Sequence, residues 1–566
     1  MKVIVIMNDS LRRDHVNAYG VPAPWDRPGH EGEPFIETPN LDHLAGESAL
    51  FDRCYIASYP TVPNRRDLFT GRWGFMETGW EPLRPDDVLL AEALEEAGIV
   101  TQLFFDTLPM GSDGYGFRRG FDGWDWVRGQ HGDQWITAPH PIELPCLPHQ
   151  MRGDLPKMRR ILRNRYSRRY ERDYMAPKTI HAAMDWLDDN YTHEDFFLWV
   201  DTWDPHEPFD PPPYDYARYA DPSYEGQEII YPQYGRTDYL TEAELNDIRA
   251  RYAGEVTMVD RNVGHLLNKI HALGLDDEAL IIHLSDHGYL MGEQDLLGKP
   301  GDLLGNLYEP SCHVSMMIRH PQGLGAGERL PALVQPPDVM PTILDVFGLD
   351  IPDTVQGKSL LPLLQGETDS VHDAAISGRF IYEPMEGVSD TSVEFDGMAG
   401  ARSEVCARTV TNERWSYICA PYDMLSELYD LQEDPTQTEN LIAERQDIAE
   451  QMHSILIQFL EAHGAPEAGI APFRKDGEAK RCTEGEIAIR EDSTLYVFRD
   501  NEGKWLATPD REQAETYVTD DFEDQEIRTM TLEELYELDP RACVRARAQY
   551  YRTADLMSGT PRGAVI

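Results

Sequence analysis

The chain has 566 residues, with 100 acidic side chains against 51 basic ones and a formal net charge of -49. Its ordinary 41% hydrophobic content excludes a disordered chain, and so acidic a surface argues against nucleic acid or an anionic membrane as partner. Such a charge serves solubility or salt tolerance, or else meets a cationic partner.

Taken in chain order, residues 2–7 form an almost unbroken apolar run, as a strand buried on both faces requires. The run is too short for a secretory leader, no stretch reaches the length of a membrane span, and the seven cysteines lack a C-x-x-C pair. A cytoplasmic location with free thiols is therefore expected. Directly after the run stand Asn8, Asp9 and Ser10. Ligand sites of open α/β sheets lie at strand carboxyl ends, so Asp9 is placed to hold a divalent metal; the ordinary alternative is a helix N-cap.

The second element of interest is a proline-punctuated loop, Tyr59-Pro60-Thr61-Val62-Pro63-Asn64-Arg65, running into a helix. A helix N-terminus favours an anion, and a guanidinium fork matches a tetrahedral oxyanion. A helix over residues 86–97 and a strand over 100–105 follow. Between them and the next helix (176–187), seven arginines, Arg159, Arg160, Arg163, Arg165, Arg168, Arg169 and Arg172, fall within fourteen residues. They are expected to pair with acidic surface of this or a neighbouring subunit; the alternative is an entrance that steers anions.

A strand over 196–200 precedes Asp204-Pro205-His206-Glu207-Pro208-Phe209, and a helix over 242–273 precedes another strand, 279–284. That strand ends in Ser285-Asp286-His287-Gly288, where adjacent carboxylate and imidazole can ligate one metal. Lys299 follows twelve positions after His287, and a strand over 314–318 comes next. Strands alternating with helices predict a doubly wound α/β sheet. Beyond 376 the pieces shorten: strands over 406–411, 415–419 and 427–429, then a helix over 448–463. Past 470 come strands over 486–489 and 494–498 and a charged tail. The expected division is a catalytic α/β domain (1–375), an α+β subdomain (376–470) and an appendage or oligomerisation arm (471–566).

Five motifs in this order, Asp9 after the first strand, P-T-V-P-N-R with L-F-T-G-R, D-P-H-E-P-F, S-D-H-G and G-K, resemble the sulfatase-like hydrolases of the alkaline phosphatase superfamily. The resemblance covers about residues 1–465, including the late stretch from Glu427 to Leu441. It implies an alkaline-phosphatase-like mixed sheet flanked by helices. It also implies a divalent ion (Mn, Zn or Ca) on Asp9, Thr61, Asp286 and His287, with a second ion if His206 joins Asp201 or Asp204. Thr61 takes the nucleophile position and Arg65 orients it. Lys299 and His206 stabilise charge or protonate the leaving oxygen, and Asn64 and Thr107 join them in binding a small anionic ester. A homo-oligomer is expected.

Three departures bear on chemistry. The family's sulfatases carry Cys or Ser at the position of Thr61, which is oxidised to formylglycine; Thr cannot give that aldehyde, and Cys54 lies seven residues too early. Ser10 replaces the second Asp of the arylsulfatase pair. The Lys and His of G-K-W-H are missing where Phe105-Asp106-Thr107-Leu108 stands. A plain Thr is similar to the nucleophile of nucleotide pyrophosphatases and of phosphoethanolamine and phosphoglycerol transferases. The expectation is a phosphodiester or phosphonate monoester hydrolase working through a phospho-threonine. The alternatives are a sulfatase without formylglycine, a phosphotransferase, and a non-catalytic binding homologue.

Overall fold

Seven consecutive buried residues, Lys-Val-Ile-Val-Ile-Met-Asn, make the strand on which the rest is assembled. A computed structural model describes residues 1–25, 30, 32–112, 114–153, 155–300, 307–380, 405–420, 426–474, 495–499, 505–508 and 528–530. It divides into two units, Met1–Lys299 with Tyr308–Gly400, and Pro300–Leu307 with Ala401–Ile566.

In the first unit the main sheet has nine strands: β1 (Lys2–Asn8), β2 (Ala49–Tyr55), β3 (Val100–Phe105), β4 (Gly123–Trp126), β5 (Phe196–Thr202), β6 (Ala279–Ser285), β7 (His313–Val314), β8 (Met316–Arg319) and β9 (Arg329–Val334). Their spatial order is β7-β2-β8-β6-β1-β5-β3-β4, with β9 also on β2. The run β6-β1-β5-β3-β4 is parallel, whereas β8 pairs antiparallel with both β6 and β2. The sheet is therefore mixed, and β1 sits near its middle.

Helices cover both faces: α1 (Thr61–Thr70), α2 (Leu90–Glu96), α3 (Leu155–Arg165), α4 (Met175–Asn190), α5 (Glu242–Ala272) and α6 (Val339–Val346) are the main ones. Ile4, Ile6, Leu198, Val200 and Ile281 point to one face, in a core shared with Ala183 and Leu187 of α4 and Val256, Val259 and Val263 of α5. The alternate residues point the other way, where Trp199 meets Phe69 of α1 with ring centroids 4.8 Å apart. Burial on both faces explains why β1, β5 and β6 lack the polar alternation of a half-exposed strand. The 31-residue α5 starts at a capping box in which Glu244 accepts the Thr241 backbone N–H at 2.8 Å and Thr241 Oγ1 accepts from Glu244.

Register places the chemistry. Asn8 lies opposite both Thr202 and Ser285, so β1, β5 and β6 end level. Asp9, Asp201 and Asp286 emerge side by side at that edge.

In the second unit β10 (Val405–Thr411), β11 (Trp415–Cys419) and β12 (Glu427–Asp430) form an antiparallel meander, accompanied by α7 (Gln446–Ala462). Leu495–Arg499, Trp505–Thr508 and Arg528–Met530 form a small separate sheet.

The strand expected over 314–318 is two short ones, β7 and β8, broken at Ser315. The helix expected from 86 starts only at Leu90, because Asp87 turns back to accept the Arg84 N–H at 2.7 Å. The strand expected over 486–489 lies outside the described residues. Among those described, no helix is long and apolar enough to cross a membrane.

The core predicts a contrast. Ile281→Ala should cost about 2–5 kcal/mol, whereas the same change at the exposed Ile351 should stay within about 0.5 kcal/mol. Chemical denaturation of both variants checks it; equal midpoints would contradict the packing described.

Candidate active site

The turn after β1 is bent so that Ser10 adopts a left-handed conformation, with φ of 62°. Its N–H donates to Asp286 Oδ1 at 2.9 Å and its hydroxyl to Asp9 Oδ1 at 2.8 Å, locking the two strand-end carboxylates together. The His287 N–H donates to the same Asp286 oxygen at 2.9 Å. One ligand atom from each of Asp9, Asp286 and His287 lies within 4.8 Å of the others, and all three side chains are buried. They form the one such group of three or more among the described residues.

Two buried carboxylates this close repel. Burial and the neighbouring Asp286 raise the Asp9 carboxyl well above its usual range. Burial also pushes Asp286 up, but His287, Arg65, Asp9 and the Ser10 N–H outweigh it and hold the group at about 2. Asp9 Oδ2 finds no hydrogen-bond partner among the described residues; its contact is the Arg65 charge at 3.1 Å. The His287 ring sets Nδ1 against the Gly288 carbonyl at 2.9 Å and Nε2 3.2 Å from Thr61 Oγ1. Burial lowers this imidazole to about 3, so it is neutral, as a metal ligand must be. Two carboxylate oxygens and one imidazole nitrogen around an orphaned oxygen suit a divalent cation of hard to borderline character.

Thr61 is the first residue of α1, and its hydroxyl lies at the positive end of the helix. Arg65, one turn on, is wholly buried. Its fork grips Asp201 through Nε at 2.9 Å and Nη2 at 2.7 Å. Nη1 reaches Asp286 at 2.7 Å and the Thr61 carbonyl at 3.2 Å. Thr107 closes the group: its hydroxyl donates to Asp201 and lies 3.5 Å from Arg65 Nη2. These contacts aim the guanidinium at protein groups. Asn64, three residues after Thr61 on the same helical face, has both amide atoms buried without a partner among the described residues.

Lys299 and His206 stand beside this centre. Lys299 Nζ lies 3.4 Å from Ser10 Oγ, and burial lowers its ammonium against the pull of Glu207 and Asp9. His206 packs on Trp203 with centroids 3.9 Å apart and turns Nδ1 to the Glu207 carbonyl at 2.7 Å. Burial, then Lys299, Arg152 and His131, hold it well below its ordinary value.

The second-ion set does not assemble. Asp201 is committed to Arg65, and Asp204 accepts from Gln130 at 2.7 Å and from the Ala176 N–H at 3.1 Å. The arginine segment divides: Arg165 and Arg168 pair with Asp210 of the same chain, while Arg159, Arg169 and Arg172 are exposed. The reason is the amphipathic α3, whose inward face is taken by Lys157, Met158, Ile161 and Asn164. Sequence reasoning missed His131, Arg152 and Lys157, which no motif marks. Asp201 had a usable signal, a carboxylate at the end of a buried strand, as Asp9 has.

Comparison with known proteins gives a consistent picture. The Sulfatase family model matches residues 2–349, and the model for the C-terminal part of N-sulphoglucosamine sulphohydrolase matches residues 305–462. Arylsulfatase K of Rattus norvegicus is 30% identical over 226 residues, 39% of this chain and 37% of that protein. Its Homo sapiens counterpart is 27% identical over 284 residues, 49% of this chain and 46% of that one. The chain thus spans under half the length of these curated relatives. Among solved structures, the phosphonate monoester hydrolase of Agrobacterium radiobacter has a TM-score of 0.62 at 24% identity, covering 82% of this chain and 96% of its own. BT4656, solved with its substrate D-glucosamine-2-N,6-O-disulfate, has a TM-score of 0.61 at 19% identity, covering 84% and 99%. Both likenesses show the fold.

The ligand geometry predicts that purified protein saturated with a divalent metal retains about one ion per chain. The double variant Asp286→Asn/His287→Ala should retain none after desalting, by plasma mass spectrometry. Unchanged metal content in that variant would place the ion elsewhere.

Proposed function

The chain belongs to the sulfatase family, and we propose that it is a metal-dependent hydrolase of phosphate esters, diesters or phosphonate monoesters in preference to sulfates, with Thr61 as nucleophile. The observation that carries this reading is the Thr61 hydroxyl, buried at the start of α1 and 3.2 Å from His287 Nε2, next to Asp9 and Asp286. Asp9, Asp286 and His287, with Thr61 Oγ1 as a further ligand, would hold a divalent cation, whose charge would acidify the hydroxyl and offset that of the transferred group.

The chain's own residues do the rest. Arg65 fixes the two carboxylates and the first turn of α1, so that Thr61 Oγ1 keeps one position. In the first step the Thr61 O–P bond forms as the P–O bond to the leaving alcohol breaks, and Thr61 releases its proton to solvent. Lys299, whose ammonium burial makes a readier proton donor, gives the leaving oxygen a proton. His206 cannot do so in the tautomer its contacts select: Nδ1 carries the proton toward Glu207, and Nε2 presents a lone pair. His206 instead suits the second step, taking a proton from the water that attacks phosphorus while Thr61 leaves and is reprotonated. The unpartnered amide of Asn64 is placed to bind a non-bridging oxygen of the transferred group.

The preference for phosphorus follows from release of the intermediate. A formylglycine hydrate expels sulfate by collapsing to the aldehyde through its second hydroxyl. Thr61 has one hydroxyl, so its adduct must be cleaved at the central atom. A single cation with Lys299 suits a substrate bearing little more than one negative charge, which favours a diester or phosphonate monoester over a dianionic monoester. The arylsulfatase names of the relatives favour a second reading, sulfate ester hydrolysis by the same hydroxyl.

Matched aryl diesters, phosphonates, monoesters and sulfates, assayed on metal-replete enzyme, decide between them. A phosphorus ester should lead in kcat/KM by about tenfold or more; a sulfate leading by that margin would overturn the preference. Thr61→Ala should lower turnover by about three orders of magnitude or more, and Thr61→Ser should retain most of it. Undiminished turnover in Thr61→Ala would mean that water attacks directly.

A further inference from the structure

Beyond Lys299 and His206 the wall of the site continues through residues that the proposed chemistry does not use. Tyr231 is their centre. Its ring lies 5.2 Å from that of His131, 4.5 Å from the Arg152 guanidinium and 5.3 Å from Lys157 Nζ. Arg152 also covers the ring of Tyr234 at 3.8 Å, and Lys299 Nζ lies 6.0 Å from that same ring. Two tyrosines thus carry a row of cations leading from Lys299 through Arg152 to Lys157. The His131 ring lies 6.2 Å from that of His206, so the two imidazoles adjoin along the same wall.

Three carboxylates lie around this row, and one oxygen of Glu207 is buried with no hydrogen-bond partner among the described residues. Glu207 takes Arg152 at 2.8 Å, Asp133 takes Arg128 at 2.6 Å, and Asp204 takes Gln130 at 2.7 Å. In a chain of net charge -49, this gathering of cations beside the site is a local attraction for an anionic group.

His131 supplies a second, separate observation. It is 4% exposed and adopts a left-handed conformation, with φ of 50°, a backbone cost that persists where surroundings enforce it. Asn164 of α3 enforces it, donating to the carbonyls of His131 at 3.2 Å and Asp133 at 2.8 Å. The ring's Nε2 meets the Tyr231 hydroxyl at 2.6 Å, whereas Nδ1 is buried with no hydrogen-bond partner among the described residues. Gly132, with no side chain, lets the Lys157 stem lie alongside; a Cβ there would stand 3.6 Å from Lys157 Cγ.

We propose that His131, Lys157 and Arg152 form a second anion subsite next to Lys299 and His206, and that the preferred ester therefore carries another anionic group, a carboxylate, sulfate or phosphate, on its alcohol. This rests on the ester-hydrolase reading above and extends it from the transferred group to the leaving group. The subsite binds charge that takes no part in bond breaking, so its effect falls on discrimination between substrates.

The kinetic test pairs an aryl ester whose leaving phenol bears a carboxylate with the methyl ester of that same phenol. Wild type should favour the carboxylate in kcat/KM by about tenfold. Lys157→Met should bring the ratio close to one, and Lys157→Arg should restore it; a merely structural role would lower both rates and leave the ratio alone. A wild-type ratio near one, or a ratio that survives Lys157→Met in folded protein, overturns the subsite. A sulfate-bearing or phosphate-bearing phenol in place of the carboxylate shows which anion fits best. Binding of benzene-1,3-disulfonate against benzenesulfonate, followed by tryptophan fluorescence, keeps the two readings separable. Tighter binding of the disulfonate that Lys157→Met abolishes supports the subsite even if no ester turns over. Equal binding of both probes counts against the subsite whatever the enzyme hydrolyses.

Discussion

The Arg65 guanidinium, buried among Asp9, Asp201 and Asp286, ties the first turn of α1 to three strand ends at once. Without it the edge of β5-β1-β6 would present three buried carboxylates with no fixed cation between them. An arrangement of that kind is costly, because an uncompensated buried charge is worth about 3–5 kcal/mol when its partner is removed. The site therefore uses a permanent charge to hold its geometry. Arg suits this better than Lys, since its planar fork binds Asp201 through two nitrogens while a third reaches across to Asp286 and Asp9. Thr61 is positioned as a consequence: its carbonyl is one of the acceptors of that same guanidinium.

The surface and the interior have opposite charge logic. Outside, acidic residues dominate. Inside, Lys299, Arg152 and Lys157 form a row on Tyr231 and Tyr234, with the imidazoles of His206 and His131 beside it. In the proposed reading, an anionic ester repelled by the general surface is compensated there. The ligand trio and the cation row also differ in kind. In the proposed reading the trio gathers negative charge for a metal, and the row gathers positive charge for a substrate.

How far this was legible in the sequence depends on range. The strands over 2–7, 196–200 and 279–284 were readable because burial on both faces leaves an almost unbroken apolar run. Asp9, Asp286 and His287 were readable because each follows such a run. Strand β2 was not, since Asp52 and Arg53 interrupt its apolar residues at its half-buried side. The break at Ser315 was not, because nothing local forces it; pairing with β2 and β6 does. The partners of Arg65 could not be read either: Asp201 lies 136 positions away and meets it only through the register of β1 with β5. His131 and Arg152 lie in irregular stretches and Lys157 on the inward face of α3, and the tyrosine pair at 231 and 234 brings them together.

The central claim is that a threonine oxygen, and not water, first attacks the ester. The stereochemical course at phosphorus tests it most directly. A chiral aryl phosphorothioate diester, hydrolysed in isotopically labelled water, should give product with net retention of configuration, because attack by Thr61 and then by water inverts the centre twice. Net inversion would mean a single displacement by water and would contradict the account, whatever the rates of individual variants.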